Sequence, residues 1–221
     1  MTAAKPLSLA ILISGRGSNM SAIASACAAG TLAARVAVVI SDRPEAEGLA
    51  RARELGLATA TVPHALEAAA AERALGAALA EHLPDVVALA GFMRVLSGDF
   101  VAGYLGRMFN IHPSLLPKYR GLNTHRRVLA AGDRVHGASV HFVTADLDAG
   151  PTVLQSRLAV EPGDTEASLA ARVLASEHVI YPRALGWYAQ GRLAWHAGAA
   201  WLDGAPLAAP VVEEFRGPLR A

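Results

Sequence analysis

Cysteine is almost missing from this 221-residue chain, and Cys27 stands alone. One thiol forms no intrachain disulfide and leaves no route to a cysteine-based zinc site. Its alanine-rich, helix-forming surroundings read as those of a buried thiol rather than a nucleophile. Lysine is scarce too, confined to Lys5 and Lys118, and the formal net charge is only +1. That balance offers no general attraction for nucleic acid or an anionic membrane. No apolar run reaches the ~18 residues of a membrane span. The longest, residues 86–93, suits a buried strand. The first eight residues lack the apolar core and cleavage pattern of a secretory leader, so a cytoplasmic protein is expected. No repeat and no Gly-, Ser- or Pro-rich linker divides the sequence. A single domain over residues 1–221 is predicted, with the tail after about 206 loosely attached.

What the chain does have is hydrophobic residues, 53% against 18% charged, enough for one sizeable core. Apolar runs alternate with helical patterns. This predicts an α/β fold with a mostly parallel central sheet and helices on both faces. Strands are expected over residues 7–14, 35–40, 58–62, 86–90 and 107–112, then 137–144 and 152–160. Helices are expected over 18–30, 45–56, 66–82, 123–131 and 165–188, the last capped by Asp164 or Thr165. Beyond residue 191 the pattern gives only short strands or loops.

Ser14-Gly15-Arg16-Gly17-Ser18-Asn19 follows the first strand and opens a helix. Free backbone N–H groups and the helix dipole at such a junction favour an anion, and glycines let the backbone approach it closely. No lysine follows the glycines, so this is not a Walker loop. Met20 stands where a dinucleotide fingerprint has its third glycine. A phosphate monoester fits better than a pyrophosphate, although an ordinary tight turn would look similar.

Asn110 and His112 lie two apart on a strand and face the same side, with Pro113 favouring an extended His112. The carboxyl ends of parallel strands face the ligand crevice of an open α/β sheet. Asp148 sits in Asp146-Leu147-Asp148-Ala149-Gly150-Pro151, a turn constrained by its glycine and proline. Each residue alone reads as an ordinary structural one. Together they suit acyl transfer from a carbonyl donor to an amine. An Asn amide and a His N–H can meet an oxyanion, and His moves protons near neutral pH. A carboxylate can accept a proton or stabilise imidazolium. His125 and His136 have no metal-ligand spacing with other candidates, and no metal is expected. Trp187, Trp195 and Trp201 read as packing residues.

These segments resemble the phosphoribosylglycinamide formyltransferases, folate-dependent enzymes of purine synthesis. The resemblance covers about residues 7–204. It rests on Ser14–Asn19, Leu89-Ala90-Gly91-Phe92-Met93-Arg94 and Asn110-Ile111-His112-Pro113-Ser114-Leu115-Leu116-Pro117. Gly137-Ala138-Ser139-Val140-His141-Phe142-Val143, Leu147–Pro151, Glu177-His178-Val179-Ile180-Tyr181-Pro182 and Ala200-Trp201-Leu202-Asp203-Gly204 complete it. It implies a Rossmann-like formyltransferase fold. It implies that Gly17, Ser18 and Asn19 hold the phosphate of glycinamide ribonucleotide and that Glu177 contacts its ribose. Met93, Arg94, Val95 and Leu96, with Asn110, would bind the pterin of 10-formyltetrahydrofolate, the formyl-donor co-substrate. Asn110, His112 and Asp148 would be catalytic, with a protonated His112 at the oxyanion. The N-terminal half would hold the ribotide phosphate, and the C-terminal half would bind folate and carry the catalysis. A homodimer is possible by the same resemblance. Ala68 takes a position where relatives often carry an Arg for the folate tail, and Arg73 lies one turn further on. Leu174 replaces a polar residue found near the ribotide in some members.

The implied activity is direct formyl transfer to the glycinamide amine through a tetrahedral intermediate. A formyltetrahydrofolate hydrolase would use the same trio, but would be expected to carry an N-terminal regulatory domain. A non-catalytic nucleotide-binding module would explain the glycine turn alone.

Overall fold

The computed structural model describes residues 6–63 and 65–215. The leader reading of Met1–Lys5 and the last six residues of the expected tail lie outside these. The hydrophobic runs become an eight-stranded sheet in the order β11-β7-β6-β5-β4-β1-β2-β3. Its parallel part consists of β1 (Leu7–Ile13), β2 (Ala34–Ser41), β3 (Thr59–Thr61), β4 (Val86–Leu89) and β5 (Met108–His112). β6 (Val135–Phe142) then pairs antiparallel to β5, and β7 (Thr152–Ala159) antiparallel to β6. The fold is therefore α/β with a mostly parallel central sheet, as the alternation predicts.

Alternation along β1 divides the interior between the two faces of the sheet. Leu9, Ile11 and Ile13 face α1 (Ser18–Ala28), α2 (Glu47–Glu54), α5 (Thr124–Ala131) and α6 (Glu166–Ala189). Ala10 and Leu12 face α3 (Ala68–His82) and α4 (Gly98–Ala102). Side chains on successive strand residues point to opposite faces, so the apolar run Leu9–Ile13 of one strand feeds both cores. Thr165 caps α6 with a capping box to Ser168. The five residues of α4 fall below what periodicity detects. They are started by Ser97, whose hydroxyl accepts from the Phe100 N–H.

The C-terminal expectation needs correction. Within the described residues the segment after 206 is not loosely attached: β11 (Val211–Phe215) adds to the sheet parallel to β7. Glu213 pairs with Arg183 and Glu214 with Arg157. β8 (Leu193–His196), β9 (Ala199–Leu202) and β10 (Ala205–Pro206) form a separate small sheet, anchored by buried Leu193 and Ala200.

Strand order reverses between β1 and β4, whose carboxyl ends open a crevice. Ser14 stitches its rim together. Its hydroxyl accepts from the Met93 N–H at 2.8 Å, and its N–H donates to the Gly91 carbonyl. The buried Tyr181 hydroxyl, from α6, lies 3.0 Å from the Leu89 carbonyl and 3.1 Å from that of Phe109, joining the ends of β4 and β5.

Candidate active site

The crevice is a cleft of about 700 Å³. Gly17, Ser18, Asn19, Met93, Arg94, Val95, Leu96, Asn110, His112, Asp148 and Glu177 all line it. Every site residue expected from sequence is therefore brought to one cavity.

At one end lies the glycine turn. Gly17 has φ 71°, and a Cβ there would meet the Gly48 Cα at 2.7 Å. Both facts demand glycine, because the turn lies directly on the first turn of α2. Gly48 N–H donates to the Gly15 carbonyl and fixes that contact. No side chain caps α1. Its first-turn N–H groups are left for an anion. Asn19 does not cap the helix either. Its Nδ2 donates to Glu177 Oε2 at 2.7 Å. Burial pushes the Glu177 carboxyl up to about 7, against the lowering effect of Asn19. This bond spans the two halves of the chain, and Met93–Leu96 also belong to the first half.

The trio sits at the ends of β5 and of the turn after β6. Asp148 has φ 49°, and its Oδ2 accepts the Gly121 N–H at 2.9 Å. The same oxygen lies 3.4 Å from His112 Nδ1. His112 Nε2 is 2.9 Å from the Tyr119 carbonyl oxygen. A carbonyl only accepts, so Nε2 carries a proton and Nδ1 is the atom that gains or loses one. Burial holds the His112 pKa below 6.5, although the Tyr119 carbonyl and Asp148 both raise it. The resemblance implies a protonated His112. Desolvation favours a neutral resting ring, and an acceptor waits at each nitrogen for the charged form that the resemblance places at the oxyanion. Burial would raise the Asp148 pKa. The His141 ring, the Gly121 N–H and His112 outweigh it and hold the carboxyl below 3.8.

His141 is a member of this cluster that the sequence reading assigned no role. Its Nδ1 is 2.9 Å from the Phe142 carbonyl and must donate to it. Its Nε2 lies 3.1 Å from Asn110 Nδ2 and 3.7 Å from Asp148 Oδ1. Asn110 Nδ2 also faces Asp148 Oδ1 at 3.4 Å. The available signal was two polar residues, Ser139 and His141, at period two in a buried strand. The Tyr119 carbonyl and the Gly121 N–H left no signal, since every non-proline residue offers such groups.

The basic cluster beside the cleft supports the loop after β5. Lys118 pairs with Asp133 at 3.0 Å, and Arg127 donates to the Arg120 carbonyl while covering the Tyr119 ring. Arg73 does not line the cleft, whereas Leu174 does. His125 Nδ1 and His136 Nε2 are 3.0 Å apart, and burial pushes His136 down to about 4. Trp195 packs edge-on against Phe142. Among the described residues no group of three His, Cys, Asp or Glu is placed to hold a metal, and no helix is long and apolar enough to cross a membrane.

Fold and site define an α/β ligand-binding domain with an acid–base cluster at the reversal of strand order. The formyl transferase family profile matches residues 7–185, and the chain belongs to that family. It is 50% identical over 200 residues to the phosphoribosylglycinamide formyltransferase of Escherichia coli strain K12, covering 90% of this chain and 94% of that protein. The solved phosphoribosylglycinamide formyltransferase of Coxiella burnetii is 49% identical, with a TM-score of 0.89 over 94% of this chain and 99% of that one. A formyltetrahydrofolate deformylase from Pseudomonas syringae shares the fold at 22% identity, with a TM-score of 0.83 over 90% of this chain and 66% of that one.

Proposed function

We propose that this chain transfers the formyl group of 10-formyltetrahydrofolate to the amine of glycinamide ribonucleotide, a step of purine synthesis. The observation that carries this reading is the meeting of Asn110, His112 and Asp148 with the glycine turn in one cleft. Identities near 50% to enzymes named for this activity support it over hydrolysis, whose structural relative is far more distant. A binding module would give the trio no reason to converge. On this reading residues 1–221 form one formyltransferase domain that works in the cytoplasm, and a homodimer is its expected assembly.

The N–H groups of the N-cap Gly17 and of Ser18 and Asn19 at the start of α1 hold the ribotide phosphate, and Glu177 takes the ribose. The pterin suits the apolar stretch of the lining where Met93 and Val95 stay exposed beside Phe92 and Leu96. The co-substrate supplies an activated formyl group. Neutral His112 accepts at Nδ1 the proton that the attacking amine must lose. Asp148 Oδ2 and the Tyr119 carbonyl then hold the imidazolium, which returns the proton to the departing nitrogen. Asn110 turns one N–H toward the developing oxyanion. Its contact to Asp148 is long for a charge-assisted hydrogen bond, so that hydrogen is the one free to move.

The test mixes protein with 10-formyltetrahydrofolate, with and without glycinamide ribonucleotide, and follows deformylated folate by absorbance. Release that requires the ribotide is expected. Equal release without it would assign hydrolysis, and no release would remove the chemistry.

Glu177→Gln separates recognition from stability. Its KM for ribotide should rise about tenfold or more, since a hydrogen bond to a charged group contributes about 1.5–3 kcal/mol. The folded-state pKa of Glu177 is raised from 4.5 to about 7. The carboxyl therefore costs stability progressively as pH rises through that window. Melting curves from pH 5 to pH 8.5 should show the variant gaining on the parent, by on the order of 2 kcal/mol above pH 7. Parallel curves would contradict the burial argument.

A further inference from the structure

Three residues stand side by side on neighbouring strands: His112 on β5 is opposite Ser139 on β6, and Ser139 is opposite Gln155 on β7. Directly opposed residues on antiparallel strands share a face. Ser139 is fully buried and Gln155 is 8% exposed, and neither lines the cleft. A buried amide is unfavourable unless its hydrogen bonds are met. Both hydrogens of Gln155 Nε2 are used: it lies 2.9 Å from the Leu116 carbonyl and 2.9 Å from Ser139 Oγ. Ser139 Oγ also accepts the Leu116 N–H at 3.0 Å and donates to the Ser114 carbonyl at 2.6 Å. Its single hydrogen and both lone pairs are occupied. Leu116 is thus gripped at its N–H by Ser139 and at its carbonyl by Gln155.

The gripped segment is the root of the loop that encloses the acid–base pair. Ser114 Oγ donates to the Lys118 carbonyl at 2.7 Å and carries the constraint forward. The next residue, Tyr119, has φ 57° and turns its carbonyl onto His112 Nε2. Gly121 then presents its N–H to Asp148 Oδ2. Two main-chain atoms that bias the proton affinities of His112 and Asp148 therefore hang from a root held by Ser139 and by the Gln155 amide.

We propose that Gln155 is a positioning residue for formyl transfer, acting through the loop of residues 113–121 on the His112–Asp148 pair. The inference rests on the reading that His112 carries the reaction. Without the Gln155 donor, the Leu116 carbonyl loses a partner and the root of the loop loosens. The Tyr119 carbonyl then holds the His112 proton less well. A misplacement of about 1 Å transmitted to reacting groups can cost about a hundredfold in rate.

The test uses the whole chain carrying Gln155→Met, which keeps the volume and removes both donors, and Ser139→Ala, which releases the same root from its other side. Both should lower kcat by about 10- to 100-fold while the ribotide KM stays within about threefold. The acid limb of the kcat–pH profile should move to lower pH, because the Tyr119 carbonyl favours protonated His112. A purely space-filling Gln155 would leave that limb in place. Added to His112→Ala, Gln155→Met should cause no further loss, since it acts through that ring. A folded Gln155→Met protein with unchanged kcat and limb overturns the proposal, as does failure of both variants to fold, which would assign the network to the sheet alone. If His112→Ala itself keeps full transfer, the functional reading fails instead. If His112→Ala is inactive while Gln155→Met is silent, only the positioning role fails.

Discussion

Replacing His112 with alanine should lower kcat by about 10³-fold or more and leave the ribotide KM within a few fold. The size follows from what the ring is asked to do. A positioned acid–base group contributes about 10²–10⁴-fold. His112 would serve twice, taking the amine proton and returning it to the leaving nitrogen. Alanine also strands two acceptors, the Tyr119 carbonyl and Asp148 Oδ2, that face the ring at 2.9 and 3.4 Å. On the proposed reading the ribotide is held by the glycine turn and Glu177, whose Asn19 contact does not involve His112, so its binding should persist. Single-turnover rates with calorimetric ribotide affinities would separate the two quantities. A residual rate within tenfold of the parent would remove His112 from the chemistry, and lost ribotide affinity would make it a binding residue.

Gly150→Ala should damage stability and activity together, although residue 150 touches no substrate in the proposed mechanism. A Cβ at this position would stand 1.9 Å from the Phe142 carbonyl oxygen and 2.9 Å from its carbon. Backbone faces backbone, so no flexible side chain can yield. The strain of such overpacking reaches about 3 kcal/mol, or about 6–12 °C in Tm for a domain of this size. The displaced oxygen is the one that fixes His141 Nδ1, and Asp148 lies two residues upstream at a positive φ. A fall in kcat of about a hundredfold is expected in the protein that remains folded. Thermal melts and kcat at a temperature below both transitions measure the pair. A variant with unchanged melting would show that the turn can shift freely.

The parts of the fold legible in sequence are those where periodicity and punctuation agree. The first strand, the glycine turn and α1 follow from an apolar run, two glycines and a helical pattern within one short segment. The trio was legible because Asn110 and His112 share a strand face and Asp148 sits beside Gly150-Pro151. β11 was not, because Glu213 and Glu214 stand side by side and break the alternation. Their burden is carried by Arg183 and Arg157, which are distant in sequence. α4 was too short to show a period. The lowered proton affinity of the resting His112 ring left no mark in the sequence either. Desolvation is set by everything packed around a ring, and neighbours in sequence do not record it. His141 and Gln155 were readable as residues but not as participants, since their partners come from other strands.

The loop after β5 works through a carbonyl and an N–H, atoms that a side-chain substitution leaves behind. Both residues hold a positive φ, 57° at Tyr119 and 77° at Gly121, so a replacement there acts through the backbone path it permits. What selection can act on there is the path of the chain and its length. A designer seeking to retune this enzyme would have more purchase on the spacing between Pro113 and Gly121 than on the letters that fill it.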